Sequence, residues 1–221
     1  MQTTGDTRQR IVMAATELFR RQGYNATGMK QILASAGATY GSAYHFFPGG
    51  KAQLGEEAVR ASGTAYLALI TELFVSATAA EPRDMATVTR DAFTAAARTL
   101  QELDFADPCP IATVAMEMAN TNETLRRATA EAFLSWTERL AEYYAAGGMT
   151  EPLARETASS VLALLEGAFM LGRATRSIDP VLAASRAAAG IVRAAFDDPV
   201  VSPQHRDREA GRDPGPRPAL P

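Results

Sequence analysis

The chain has 221 residues, 47% of them hydrophobic, and a formal net charge of −3. That is long enough to bury a real core in one domain or two, and abundant alanine with few alternating apolar runs points to an all-α protein. One cysteine, Cys109, excludes an intrachain disulfide framework, and two histidines exclude a His-rich metal cluster or a convergent Ser-His-Asp set. Charge is spread unevenly. Residues 1–60 hold seven Lys/Arg against four Asp/Glu, and the remainder holds fifteen against twenty-one. A basic head on an acidic body suits a protein that meets phosphates at one end only.

In chain order, "DTRQRIVMAATELFRRQG" (6–23) reads as an amphipathic helix, with Ile11, Ala14, Ala15, Leu18 and Phe19 on one stripe. Asp6 is expected to cap it, with Gln9 returning the bond, and Gly23 to close it. "YNATGMKQILASAG" predicts a shorter helix capped by Thr27, with Met29, Ile32 and Leu33 facing inward and Gly37 ending it. Thr39 is expected to cap a third helix through Phe46, and "FPGGK" breaks that one and opens the next. Longer helices follow at 50–77, 83–104, 110–119, 122–146, 151–174 and 179–197, the last opened by Asp179-Pro180. The proline-rich, charged stretch 199–221 reads as a disordered tail. "MQTTGDTRQR" lacks the apolar run of a signal peptide. "SVLALLEGAFMLG" (160–172) is too short for a membrane span and carries Glu166. A cytoplasmic protein with no membrane partner is the expectation.

Helix 2, the turn at "AGA" and helix 3 have the length and turn chemistry of a helix-turn-helix. Helix 1 supplies the third wall of a small core, and helix 3 is polar or small where a packed helix would be apolar. Residues 11–54 resemble the DNA-binding head of the TetR family of transcriptional regulators. The marks are A-x-x-L-F-x-x-x-G-Y-x-x-T, then I-x-x-x-A-G-A, then G-S-x-Y-x-x-F and a lysine opening helix 4. "HFFPGGKAQL", "PCPIATVAMEMA" and "EAFLSWTERLAE" are similar to the LmrA/YxaF-like branch, extending the likeness over most of residues 7–175. Two positions depart from the common pattern. Tyr40 stands where many members carry Lys or Pro, which bears on base preference, and Ala43 stands where Leu is usual, which trims the core.

The resemblance implies a head (1–49) that reads double-stranded operator DNA, a ligand-binding and dimerisation body (50–198), and the tail beyond. Helix 3 would enter the major groove. Thr27 and Thr39 would offer hydroxyls to phosphates, Tyr44 and His45 would donate from the far end, and Lys51 would add a charge. Gly41 would let the backbone approach, while Ser42 and Tyr40 reach base edges or thymine methyls. With few cations per head (Lys30, Lys51 and Arg8 or Arg10), two heads must act together, so a homodimer on a two-fold site is expected.

In the body, the wide apolar faces of the last two helices suggest a subunit interface built on Val161, Leu164, Ala168, Leu171, Val181, Ala188, Ile191 and Val192. Tyr66, Ile70, Phe93, Met116, Phe133 and Trp136, with Met85 and Met118 nearby, could line an adaptable cavity, with Glu166 orienting a polar group. Glu117 could, like Glu166, orient a polar ligand group, but is expected rather at the surface or in an inter-helix bond, and Cys109 as a structural thiol at a loop corner. Through the resemblance, an apolar or aromatic effector would bind the body and release DNA. No cofactor and no metal are called for. The competing readings are a dimeric adaptor of the same fold that has lost DNA binding, kept open by the uncharged helix 3, and an enzyme with a carboxylate-only site.

Overall fold

The computed structural model describes residues 4–80, 84–106 and 109–197. Among these it contains nine helices and no strand: α1 (Thr4–Gln22), α2 (Met29–Ala36), α3 (Tyr40–Phe46), α4 (Gly50–Ala80), α5 (Met85–Glu102), α6 (Pro110–Met118), α7 (Glu123–Ala146), α8 (Glu151–Thr175) and α9 (Asp179–Asp197). The stretch 199–221, expected to be disordered, lies outside the described residues.

Local chemistry accounts for most of the helix ends. Gly23 closes α1 at φ +88°, and Gly37 ends α2 at φ +58°, both in the region that disfavours side chains. The Ala38 N–H reaches back to the Leu33 carbonyl at 2.9 Å, completing the α2 terminus. Asp84 and Asn122 cap α5 and α7 by accepting the N–H of Thr87 and Leu125. Cys109, buried at its loop corner, caps α6 through Sγ, which accepts the Ala112 N–H at 3.4 Å. The expected cap of α1 differs. Helix α1 already runs at Thr4, so Asp6 lies in its first turn, where it favours the helix dipole and pairs with Arg10 at 3.0 Å.

Two apolar clusters fill the interior. The first joins α1, α2 and α3 to α4, α6 and the start of α7, around Ile11, Phe19, Ile32, Phe47, Leu54, Ile111, Leu125 and Trp136. The second joins the far parts of α4 and α7 to α5, α8 and α9, around Phe74, Phe93, Leu100, Tyr144, Val161, Val181 and Val192. Helices α4 and α7 therefore run through both. By length and composition the Gly50–Val75 part of α4 would suffice to cross a bilayer, a feature absent from the apolar-run reading. Its Leu54, Ala58, Val59 and Phe74 are packed into the interior, while Leu69 and Val75 are exposed.

In the second cluster Thr89 donates to the Met85 carbonyl at 2.8 Å, which leaves the Tyr144 hydroxyl to donate to Thr89 at 2.9 Å. Burial pushes the Tyr144 hydroxyl up to about 12. The unfolded tyrosine ionises near 10, so above that pH the unfolded chain loses its proton first. The stabilisation is thus complete below about pH 10 and lost by about pH 12, a fall of order 2 kcal/mol. Urea unfolding across this range should show that fall in the wild type and a smaller one in Tyr144→Phe.

Candidate nucleic-acid interface and body cavities

Helix α3 is held by its inward side. Ala43 and Phe47 are buried against α1 and α2, and Thr39 caps the helix by accepting the Ser42 N–H at 3.2 Å. The Thr39 and Ser42 hydroxyls also bond each other at 3.1 Å. The outward side then consists of Tyr40 (54% exposed), Gly41, Tyr44 (76% exposed) and His45. Ser42 is half-buried and His45 packs edge-on against Phe46 with ring centroids 4.9 Å apart. Two tyrosines this exposed on one short helix are not there for packing. Nor does Gly41 serve the fold. A Cβ there would meet only Thr39 Oγ1, at an ordinary 3.7 Å.

Two expected phosphate donors are placed differently. Thr27 is 1% exposed and does not cap α2; Gly28 holds that position. The Thr27 hydroxyl turns inward to donate to the Gly23 carbonyl at 2.7 Å, because the α1–α2 turn would otherwise leave that acceptor buried. Lys51 folds back over the Tyr24 ring, 4.1 Å from its centroid, instead of projecting from α4. Desolvation lowers its pKa, and the Glu117 carboxylate partly offsets the shift.

The remaining head cations are mostly engaged internally. Arg8 pairs with Glu57 and lies over Phe47; Arg10 bonds Asp6 and the Ala36 carbonyl; Arg20 and Arg21 share Glu17. Lys30 is exposed on α2.

Two bonds tie this head to α6 and α8. Glu117 on α6 accepts the Asn25 N–H at 2.7 Å, and its carboxylate lies so close over Gly23 that any side chain there would collide with it. Arg173 on α8 donates to the Arg21 carbonyl at 3.4 Å. Glu117 thus joins α6 to the α1–α2 turn, not to another helix.

The body holds two neighbouring concavities. A cavity of about 230 Å³ lies between α4, α5, α7 and α8, and Tyr66, Ile70, Phe93, Trp136 and Glu166 all line it. Tyr66 stacks on Trp136 at 5.5 Å, and the indole N–H donates to the Gly63 carbonyl at 2.9 Å. Thr89, Thr99 and Glu166 are its polar lining; the rest is apolar or aromatic. Met116 and Phe133 line a second, more open cleft of about 740 Å³ between α6, α7 and α8. Glu117 and Arg173 stand on that cleft's wall, and Glu166 and Phe169 belong to both. Leu162, Leu165 and Phe169 were missed as lining residues. Their spacing about Glu166 on one helix was the available signal.

The expected interface set divides by helix face. Val161, Ala168, Val181, Ala188 and Val192 are buried inside the protomer, and Val161 borders the smaller cavity. Helix α9 packs this side onto α5, where Ser185 donates to the Arg90 carbonyl at 3.0 Å. These five cannot form a subunit surface. Leu171 and Ile191 are exposed, and Leu164 is half-buried beside them. They belong to an outer face of small and apolar residues: Ala163, Gly167, Met170 and Ala174 on α8, with Ala183, Ala187, Gly190 and Ala194 on α9.

A helix-turn-helix head on a larger helical body defines a DNA-binding regulator. Residues 11–58 match the family described as "Bacterial regulatory proteins, tetR family", and residues 85–187 match "Transcriptional regulator LmrA/YxaF-like, C-terminal domain". The chain is 34% identical to the HTH-type transcriptional regulator LmrA of Bacillus subtilis, over 80% of this chain and 92% of that one. It is 31% identical to YxaF of the same organism, over 82% and 93%. Among solved structures, the regulatory protein TetR from Rhodobacter sphaeroides superposes with a TM-score of 0.73 at 22% identity, covering 83% of this chain and 97% of that one. Reduced NemR of E. coli gives 0.70 at 22% identity, over 84% and 96%. The chain belongs to the TetR family of transcriptional regulators, in its LmrA/YxaF-like branch. Members of this family are regulators and not enzymes.

Proposed function

We propose that this protein is a homodimeric repressor that leaves its operator when a small apolar or aromatic molecule enters the body. The exposed face of α3 carries the reading: Tyr40, Gly41, Tyr44 and His45 face outward from a helix whose opposite side is locked into the core. Residues 1–49 act as the DNA-reading head and 50–198 as the effector and dimer body, a division of labour laid over a shared core. The outer face of α8 and α9 is the subunit surface. Such a protein works in the cytoplasm, beside the chromosome, without a membrane partner or cofactor.

The 230 Å³ cavity is the effector site, suited to a compact ring system held by Tyr66, Trp136 and Phe93, with Glu166 selecting a polar group. Release requires that the effector bind the DNA-incompetent arrangement better, by the same factor that it weakens operator binding. Glu117 and Arg173 supply the mechanical link, since both bond the head while standing on helices that border the cavities.

Gly41→Ala separates fold from function. The added methyl meets no close neighbour, and alanine favours a helix by up to about 1 kcal/mol over glycine. Thermal stability should therefore hold or rise, while operator affinity falls roughly tenfold as the backbone is kept off the DNA. The reading as a whole is tested by fluorescence anisotropy on duplexes tiled across the gene's own upstream region, at two salt concentrations. Sequence-selective binding of two protomers, reversed by an aromatic compound that also alters Trp136 fluorescence, is the expected result. Binding that is unselective at every site, and absent after selection from random DNA, would favour the adaptor that no longer reads DNA.

A further inference from the structure

The chemistry of α3 restricts what kind of operator it can read. Sequence-specific contacts in the major groove come mainly from side chains with paired donors or acceptors: Arg or Lys on guanine, Asn or Gln on adenine. Helix α3 has none of these. The arginines of the head are drawn into bonds with Glu57, Asp6, Ala36 and Glu17, and Gln22 and Gln31 bond each other at 2.8 Å. The Thr39 and Ser42 hydroxyls are likewise turned on one another at 3.1 Å.

What α3 presents instead is two tyrosine rings, with an unobstructed glycine beside the first and His45 beside the second, its ring packed edge-on against Phe46. Tyr40 and Tyr44 are one turn apart on the same side, 54% and 76% exposed. The thymine 5-methyl is the one base-edge feature in the major groove that an apolar surface recognises, and no other base carries it. Gly41, with only Thr39 Oγ1 near the place of a Cβ, leaves room for the backbone to bring both rings close.

Resting on the operator-binding reading above, we infer that each half-site is read through thymine methyl groups, with Tyr40 and Tyr44 as the contacting rings. Four residues of helix rise about 6 Å, close to two base steps at about 3.4 Å each. The two contacted thymines therefore lie about two steps apart.

The test begins with selection of binding sites from random duplex DNA by the full-length protein. Each thymine of the selected site is then replaced singly by deoxyuridine, which keeps the pairing and removes only the methyl. Loss of one buried methyl corresponds to about a fourfold weaker affinity. That loss is expected at one or two positions per half-site, with little change elsewhere. In Tyr40→Ala and Tyr44→Ala, which alter exposed side chains and should leave the thermal unfolding curve unchanged, sensitivity should vanish at the thymine each ring covers.

Uracil substitution without effect at every position would overturn the inference while leaving the operator intact. So would a loss above tenfold on replacing a guanine by 7-deazaguanine in each half-site, because guanine would then be the base read. A selection that enriches no sequence would overturn the operator-binding reading itself, and this inference with it.

Discussion

Gly190→Glu is expected to convert the protein from dimer to monomer and to weaken operator binding by two orders of magnitude or more. Gly190 is exposed near the middle of α9, and a Cβ built on it meets nothing within 4 Å in the protomer. The substitution therefore disturbs no contact inside one subunit. Replacing a helical glycine should help α9 slightly, by up to about 1 kcal/mol. Across a close-packed, small-residue interface the same carboxylate would be buried without a partner and set against its symmetry mate. Two linked heads bind about 10²–10⁴ more tightly than one, because the second contact becomes intramolecular. Sedimentation velocity and operator titration together check this. A dimer that persists with full affinity would place the subunit surface elsewhere.

Trp136→Ala should cost about 3–5 kcal/mol of stability, a large share of what a domain usually has. Trp136 is 2% exposed, stacks on Tyr66, meets Phe133 edge-on at 5.5 Å, and bonds the Gly63 carbonyl. The last bond is possible because α4 and α7 approach closely at Gly63 and Ala132. The void left by the indole would open directly into the 230 Å³ cavity, so neighbouring side chains cannot easily collapse onto it. Trp136→Phe keeps a ring and should lose less, the hydrogen bond contributing about 1 kcal/mol. Urea unfolding followed by far-UV circular dichroism measures both variants, since the chain's single tryptophan is the residue removed. A loss below about 1 kcal/mol for the alanine variant would mean that the α4–α7 contact is held by other residues.

Legibility along the chain follows the range of the physics. The helix ends were readable because a terminus is settled within one turn: Gly23 and Gly37 by their positive φ, Thr39 and Asn122 by a side chain reaching a nearby N–H. The exposed tyrosines of α3 were readable for a similar reason, since Ala43 and Phe47 mark the buried side of the same short helix. Lys51 failed that test. Its ammonium is aimed by Tyr24 and Glu117, residues of another helix junction and of α6, and no local pattern announces them.

The body shows the same limit on a larger scale. Helices α8 and α9 are apolar on both sides, so periodicity predicted two apolar faces, one turned into the protomer and one turned outward. It could not say which side is which. The choice was made when α9 settled on α5 with Val181, Ala188 and Val192 inward, leaving Leu171 and Ile191 outside. The cavities are harder still, because a cavity is space left where four helices fail to meet. Tyr66, Ile70, Phe93, Trp136 and Glu166 were found by chemistry, whereas Met116 and Phe133 fell to the neighbouring cleft through the placement of α6.

By itself, then, the sequence determined the nine helices of the described residues, the helix-turn-helix, its outward face and the regulator family, because periodicity, caps and motif spacing act over a few residues. Tertiary structure alone decided the fold-back of Lys51 onto Tyr24, which faces of α8 and α9 are buried in the protomer, the cavity walls and the Glu117 bond to Asn25. Each of those depends on how helices distant in the chain are placed and rotated against one another, which no local pattern encodes.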